Sequence, residues 1–141
     1  MPFDSFWVND TLVVRWNSTP DRMSMYRAAS LVLEARREIQ LLAIVPAHVE
    51  PPSKDMQRTI MQHIGRTLLQ HARATVVFEG SGLMHSVKLS LVSGMIMVLR
   101  ANARAQFRRS LHDALVTNPP PYLRADAGAI AAELRRRKWM A

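Results

Sequence analysis

The sequence predicts an α/β fold: a mixed β-sheet with covering helices in the order β-β-α-β-α-β-α-β-α, followed by one further C-terminal helix. Three observations carry this expectation. Short runs rich in Val, Ile, Leu, Phe and Trp recur along the chain, and the stretches between them are long enough for helices. Those stretches place apolar residues at helical spacing. Leu41–Val45 is an unbroken apolar run of strand length, the pattern of a strand buried on both faces of a parallel sheet.

Phe6–Val8 and Leu12–Trp16 are β-rich runs separated by the turn pair Asn9-Asp10, which reads as an N-terminal hairpin. Ser18-Thr19-Pro20-Asp21 has the composition of a helix start, with a capping hydroxyl and proline at or near the first helical position. The helix that follows sets Met25, Ala28, Ala29, Val32 and Leu33 on one face and Arg22, Arg27, Glu34 and Arg37 on the other. After Leu41–Val45 comes a proline-bearing loop, Pro46–Pro52, with Ser53 as the expected N-cap of the next helix. That helix shows Met56, Ile60, Ile64 and Leu68 at steps of four, with Met61 alongside. Thr75–Phe78 reads as a strand ended by Gly80-Ser81-Gly82. A helix over Met84–Arg100, a short strand at Ala105–Phe107 and a helix capped by Ser110 complete residues 1–118. Pro119-Pro120-Pro121 then separates a segment, 119–141, whose Asp126–Lys138 stretch reads as an additional exposed helix with a basic end.

At 141 residues the chain fits one domain with a short appendage, and 48% hydrophobic with 21% charged residues excludes disorder throughout. The absence of cysteine excludes disulfide scaffolds, thiol chemistry and Cys-based zinc sites. The first residues lack a basic n-region and an apolar run, and no stretch is long and apolar enough to span a bilayer, so a cytoplasmic location is expected. The net charge of +8 is carried by 16 arginines and three lysines amid many alanines, a mixture that GC-rich coding produces without selection for binding. Residues 119–141 hold Arg124, Arg135, Arg136, Arg137 and Lys138 against Asp126 and Glu133, a net of +3, so an acidic partner is best placed there.

This order of elements, at these lengths, resembles the STAS domain, the fold of bacterial anti-sigma-factor antagonists and of the cytoplasmic part of sulfate transporters. The resemblance covers roughly residues 5–118 and rests on topology and spacing. It implies a non-enzymatic protein-protein interaction module in bacterial signalling and regulation, one that docks its partners at the strand-to-helix loops. In the antagonists the loop after the third strand carries a phosphorylated Asp-Ser-Ser-Gly. Here the matching loop, Pro46-Ala-His-Val-Glu-Pro-Pro-Ser53-Lys54, is longer and lacks that motif.

Ser53 is the one hydroxyl in that loop, a candidate phosphoacceptor with Lys54 beside it; a plain N-cap accounts for the same serine. Glu79-Gly80-Ser81-Gly82 lies between a strand and a helix, where converging N–H groups can meet a partner or an anion, although the glycines equally suit a tight turn. The segment lacks the phosphate-loop and dinucleotide patterns, so no cofactor is expected. As a nucleophile, Ser81 would need glycines two positions either side, and Glu79 and Leu83 stand there, so no catalytic residue is assigned. His48, His63, His71, His85 and His112 show no metal-ligand spacing.

The Met84–Arg100 helix is apolar around its axis, with Leu89, Leu91, Val92, Met95, Ile96, Met97, Val98 and Leu99. A low stripe of Ser86, Ser90, Ser93, Gly94 and Met97 admits close approach. Two covers for its surplus surface are in view: a partner or second copy, with Met95 as a contact, or the C-terminal tail folded back. Finally, Arg135-Arg136-Arg137-Lys138-Trp139 offers an alternative function, binding nucleic acid or an anionic surface, with Trp139 stacking on a base.

Overall fold

The computed structural model describes residues 2–80, 82–101 and 104–141. The chain opens with the antiparallel strands β1 (Phe3–Val8) and β2 (Thr11–Trp16), turning through Asn9 and Asp10. Asn9 supplies the left-handed backbone, φ 51°, that the tight turn needs. β1 begins earlier than the apolar run at Phe6 because Phe3 packs edge-on against Trp16, with ring centroids 5.2 Å apart.

Then α1 (Arg22–Glu34) leads to β3 (Ile39–Val45). After it come α2 (Lys54–Thr59), a π-helical segment (Ile60–Gly65) and α3 (Arg66–His71), leading to β4 (Ala72–Phe78). α4 (Gly82–Leu91) and α5 (Ser93–Ala101) lead to β5 (Ala105–Arg108). A helical stretch over 111–117, mostly π-helical, precedes a 3-10 turn (Pro121–Leu123) and α6 (Ala127–Arg136).

The sheet is mixed, as expected, in the order β1-β2-β3-β4-β5, with β1 antiparallel and the other neighbours parallel. Each parallel crossover steps to the adjacent strand in the same direction. Right-handed connections therefore fall on one face of the sheet. α1 and α3 occupy that face, where Leu12, Val14, Leu41 and Ala74 meet Ala28, Val32 and Leu69. The alternate residues Val13, Leu42, Ile44 and Val77 form the other face. β3 is thus apolar on both sides, and Ile44 is 1% exposed.

The second face needs a cover that no crossover supplies, and the C-terminal segment provides it. Leu111, Ala114, Leu115, Leu123, Ala127, Ile130, Ala131 and Leu134 close over it as a second core. The expectation of an exposed C-terminal helix is corrected here: Ile130 and Leu134 are both 0% exposed. Polar ties hold the segment down. The Tyr122 hydroxyl donates to the Ala74 carbonyl (2.8 Å) and sits 2.7 Å from the buried Thr75 hydroxyl. The Asp126 carboxylate accepts from the Asn9 amide (2.8 Å) and the Thr11 hydroxyl (3.3 Å).

Other expectations change in detail. Asp21, not Ser18 or Thr19, caps α1: its carboxylate accepts from the Ser24 N–H (2.8 Å), and the Ser24 hydroxyl accepts from the Asp21 N–H (2.9 Å). This reciprocal box places Pro20 before the cap instead of in the first turn. Leu33 is exposed, because Val32 takes the inward position of that turn. Arg73 lies on β4, past the end of the helix. After α2 the helix widens into the π-helical turn Ile60–Gly65; of the expected face Ile60 is buried and Leu68 partly buried, and in α3 Leu69 takes the buried position. Ile64 of the expected apolar face, and Val98 and Leu99 of the helix expected to be apolar around its axis, fall outside the described side chains. The single helix expected over 84–100 is two, α4 and α5, divided at the turn residue Val92.

α6 ends in a Schellman arrangement: Trp139 N–H bonds the Leu134 carbonyl (2.8 Å) and Lys138 N–H bonds the Arg135 carbonyl (3.0 Å). Lys138 carries the left-handed conformation, φ 61°, that glycine fills at lowest cost. Lys138→Gly is therefore expected to stabilise the fold by up to about 1 kcal/mol. A thermal melt tests this: an unchanged or lower Tm would show that the cap is not strained.

Candidate partner-docking site

The loops leaving β3 and β4 and the helix α4 meet at the carboxyl end of the parallel strands. β3 runs into Pro46, where Val49 N–H bonds the Pro46 carbonyl (3.1 Å) and Val49 is buried. Lys88 on α4 reaches across to donate to the Ala47 carbonyl and to the Val49 carbonyl (2.7 Å). Thr19 holds the Glu50 carbonyl (3.0 Å), and Gln57 holds that of Pro52 (2.9 Å). A loop rich in proline is thereby fixed by donors from three directions. Ser53 follows as the expected N-cap, its hydroxyl accepting from the Met56 N–H (3.1 Å); Ser53 and Lys54 are both exposed.

The Glu79 segment is built around the glutamate. Its N–H bonds the Val45 carbonyl (2.9 Å), and its carboxylate accepts from the Leu111 N–H (3.2 Å) at the start of the 111–117 helix. Burial pushes the Glu79 carboxyl above its ordinary pKa, against the opposing effects of the Leu111 N–H, Arg15 and His85. This segment therefore brings its own anion to a helix N-terminus. Gly80 has φ 138° and lies where a Cβ would come within 3.2 Å of the His85 ring; Gly82 has φ 75°. Ser81 lies outside the described residues. His85 Nε2 is 2.8 Å from the Phe78 carbonyl. Among the described residues, no three His, Asp or Glu side chains come together as a metal-binding group.

Beside these loops runs the surface of α4 and α5. The buried Val92 and the partly buried His85, Lys88, Leu89, Met95 and Ile96 mark the inward stripe. The outward stripe holds Val87 (43% exposed), Leu91 (51%) and Met97 (72%), with Ser86, Ser90, Ser93 and Gly94 also exposed. No charged residue stands between Lys88 and Arg100. Met95, the expected contact, is partly turned inward; Val87, Leu91 and Met97 are the residues that face out. The spacing of 85, 88, 89, 92, 95 and 96 as one helical stripe is the signal that separates the two sides. The tail does not cover this surface: Val87, Leu91 and Met97 are exposed, while the apolar residues of α6 pack with Val13, Leu42, Ile44 and Val77. Between α4–α5 and the end of β5 lies a cavity of about 390 Å³, lined by Phe78, Leu89, Ile96, Phe107, Arg108, Arg109, Asp113 and Asn118. Phe78 and Phe107 stack at 6.0 Å in its wall.

The basic tail is largely engaged internally. Glu133 accepts from Arg136 Nη2 (2.5 Å) and Arg137 Nε (2.8 Å), and these bonds hold its carboxyl down at about 2. Arg137 lies over the rings of Phe6 (4.4 Å) and Trp139 (5.1 Å), and Arg15 also lies over Trp139 (5.3 Å). Arg135 donates to the Ala141 carbonyl (3.1 Å). The Trp139 ring expected to stack on a base is thus flanked by the protein's own cations.

Compared with known proteins, the chain matches no family model and no curated protein. Among the described residues, no helix is long and apolar enough to cross a membrane.

Proposed function

We propose that the protein is a STAS-like, non-enzymatic interaction module of bacterial regulation, binding a protein partner in the cytoplasm through α4–α5 and the flanking Pro46–Lys54 and Glu79–Gly82 loops. One observation carries this reading: an uncharged helical surface with Val87, Leu91 and Met97 outward stands beside two loops, one of them pinned by Lys88 from the same helix. Apolar side chains supply the contact area, and fixed loops lower the ordering cost of docking. Among the described residues of the Glu79–Gly82 loop and α4, the Glu79 carboxylate accepts from the Leu111 N–H and His85 Nε2 lies against the Phe78 carbonyl.

The test is affinity capture from the native host followed by binding with purified partner. Val87→Asp, Leu91→Asp and Met97→Asp together should abolish binding, because a partner cannot desolvate three carboxylates against apolar surface. Replacing Arg135, Arg136, Arg137 and Lys138 with glutamine should leave it intact. The reverse pattern, with duplex binding whose log–log salt slope is near about −3.6 at roughly −0.9 per phosphate, would establish a nucleic-acid-binding tail instead.

A further inference from the structure

The two edges of the sheet differ in how they are guarded. At β5, Arg108 folds back onto the edge, donating to the Asn118 carbonyl (2.9 Å), the Phe107 carbonyl (2.9 Å) and the Gln106 side chain (3.3 Å). β1 is six residues long, with one charged residue, Asp4, and no proline within it, and Arg37 lies over its Trp7 ring. Its pairing with β2 decides which backbone groups are free. The hairpin closes at Val8↔Thr11, and Asn17 N–H bonds the Pro2 carbonyl (2.8 Å). Pro2, Asp4, Phe6 and Val8 therefore direct their backbone groups to β2, and Phe3, Ser5 and Trp7 direct theirs outward. Alongside this edge is a groove of about 530 Å³ between β1 and α1, lined by Phe3, Asp4, Ser5, Arg27, Ser30, Leu31 and Glu34.

The geometry points to a second copy of this chain as the occupant, through antiparallel β1–β1 pairing that joins two five-stranded sheets about a two-fold axis. The edge is self-complementary in register. With Ser5 opposite Ser5 of the second copy, each outward-facing residue meets another, and Phe3 of one chain stands opposite Trp7 of the other. That places the smallest side chain at the axis and an aromatic pair on each side of it. The groove is self-complementary in charge. Ser30 and Leu31 lie midway between Arg27 and Glu34 on α1, so the same axis brings Arg27 of each copy toward Glu34 of the other. Neither residue makes an ion pair among the described residues, although Arg27 acts electrostatically on Asp21. Trp7, on the seam itself, is exposed, with Arg37 over its ring at 5.5 Å. The groove's own charges are Asp4 and Glu34 against Arg27, so the chain's net charge of +8 is not concentrated there. Such a dimer leaves α4–α5, near the β5 side of the sheet, open on both copies.

Sedimentation of the full chain at micromolar concentrations should give twice the chain's 16.0 kDa. Ser5→Pro removes an outward N–H without touching the β1–β2 ladder and should yield a monomer with an unchanged circular dichroism spectrum. Arg27→Glu and Glu34→Arg should each weaken the dimer by roughly a hundredfold, since like charges then meet twice across the axis. Combining the two should restore it. A monomeric wild type, a dimer indifferent to Ser5→Pro or to either charge reversal, or a double variant that stays monomeric would each overturn the inference. If Ser5→Pro fails to fold, the charge-reversal series alone decides.

Discussion

Ending the chain at residue 118 is expected to unfold the protein rather than release a smaller stable domain. The lost segment contributes Leu123, Ile130 and Leu134, all fully buried, together with Ala127 and Ala131. Burying one such large side chain is worth about 1.5–3 kcal/mol, and the sheet residues Val13, Leu42, Ile44 and Val77 would keep only Leu111, Ala114 and Leu115 as cover. Against a total stability of about 5–15 kcal/mol, that loss leaves no margin. Circular dichroism and urea titration of residues 1–118 should show no cooperative transition. Leu134→Ala in the full chain should retain the fold and cost about 2–5 kcal/mol. A tail-free chain that melts cooperatively near the wild-type temperature would show that the second face can stand bare. The same result would restore the view of 119–141 as an appendage.

Ile44→Asp should be as severe. Ile44 sits on the central strand β3, between Val77 of β4 and Arg15 of β2 in register, and its side chain lies in the second core. A carboxylate there has no partner, and burying it unpaired costs several kcal/mol or forces the sheet open. Ile44→Val, which removes one methyl group, should cost only about 0.5–1.5 kcal/mol and fold normally. Amide exchange in the wild type should be slowest over Leu42–Ile44, strand residues flanked by ladders on both sides. An aspartate variant within about 1 kcal/mol of wild type would remove β3 from the core.

Strands were legible because their signal is local. The apolar run at Leu41–Val45, the turn pair at Asn9-Asp10 and the glycines after Phe78 each determine structure through their own neighbours. The division of the helix at Val92, next to Ser93-Gly94, is also local, but the strong apolarity of residues 89–99 masks it. The burial of the C-terminal helix is hidden for a different reason. Ala127, Ile130, Ala131 and Leu134 form a helical stripe, yet two of the four are alanines, which carry little weight beside a run of arginines. Whether such a stripe is buried depends on whether a face elsewhere lacks a cover, which is a property of topology. The site divides the same way. Ser53 as an N-cap follows from sequence, whereas the bonds from Leu111 to Glu79 and from Lys88 to the Val49 carbonyl join residues far apart in the chain. No pattern in either segment announces them.

The late position of the second cover also bears on how the chain is made. The ribosome completes all five strands before it reaches Leu111, the first residue of the layer that closes the second face. During that interval the side of the sheet carrying Val13, Leu42, Ile44 and Val77 has no intramolecular partner, a condition that favours misassociation of nascent chains. Translation that stalls between Arg108 and Leu134 would yield a sticky product, suited to recognition by chaperones or proteases.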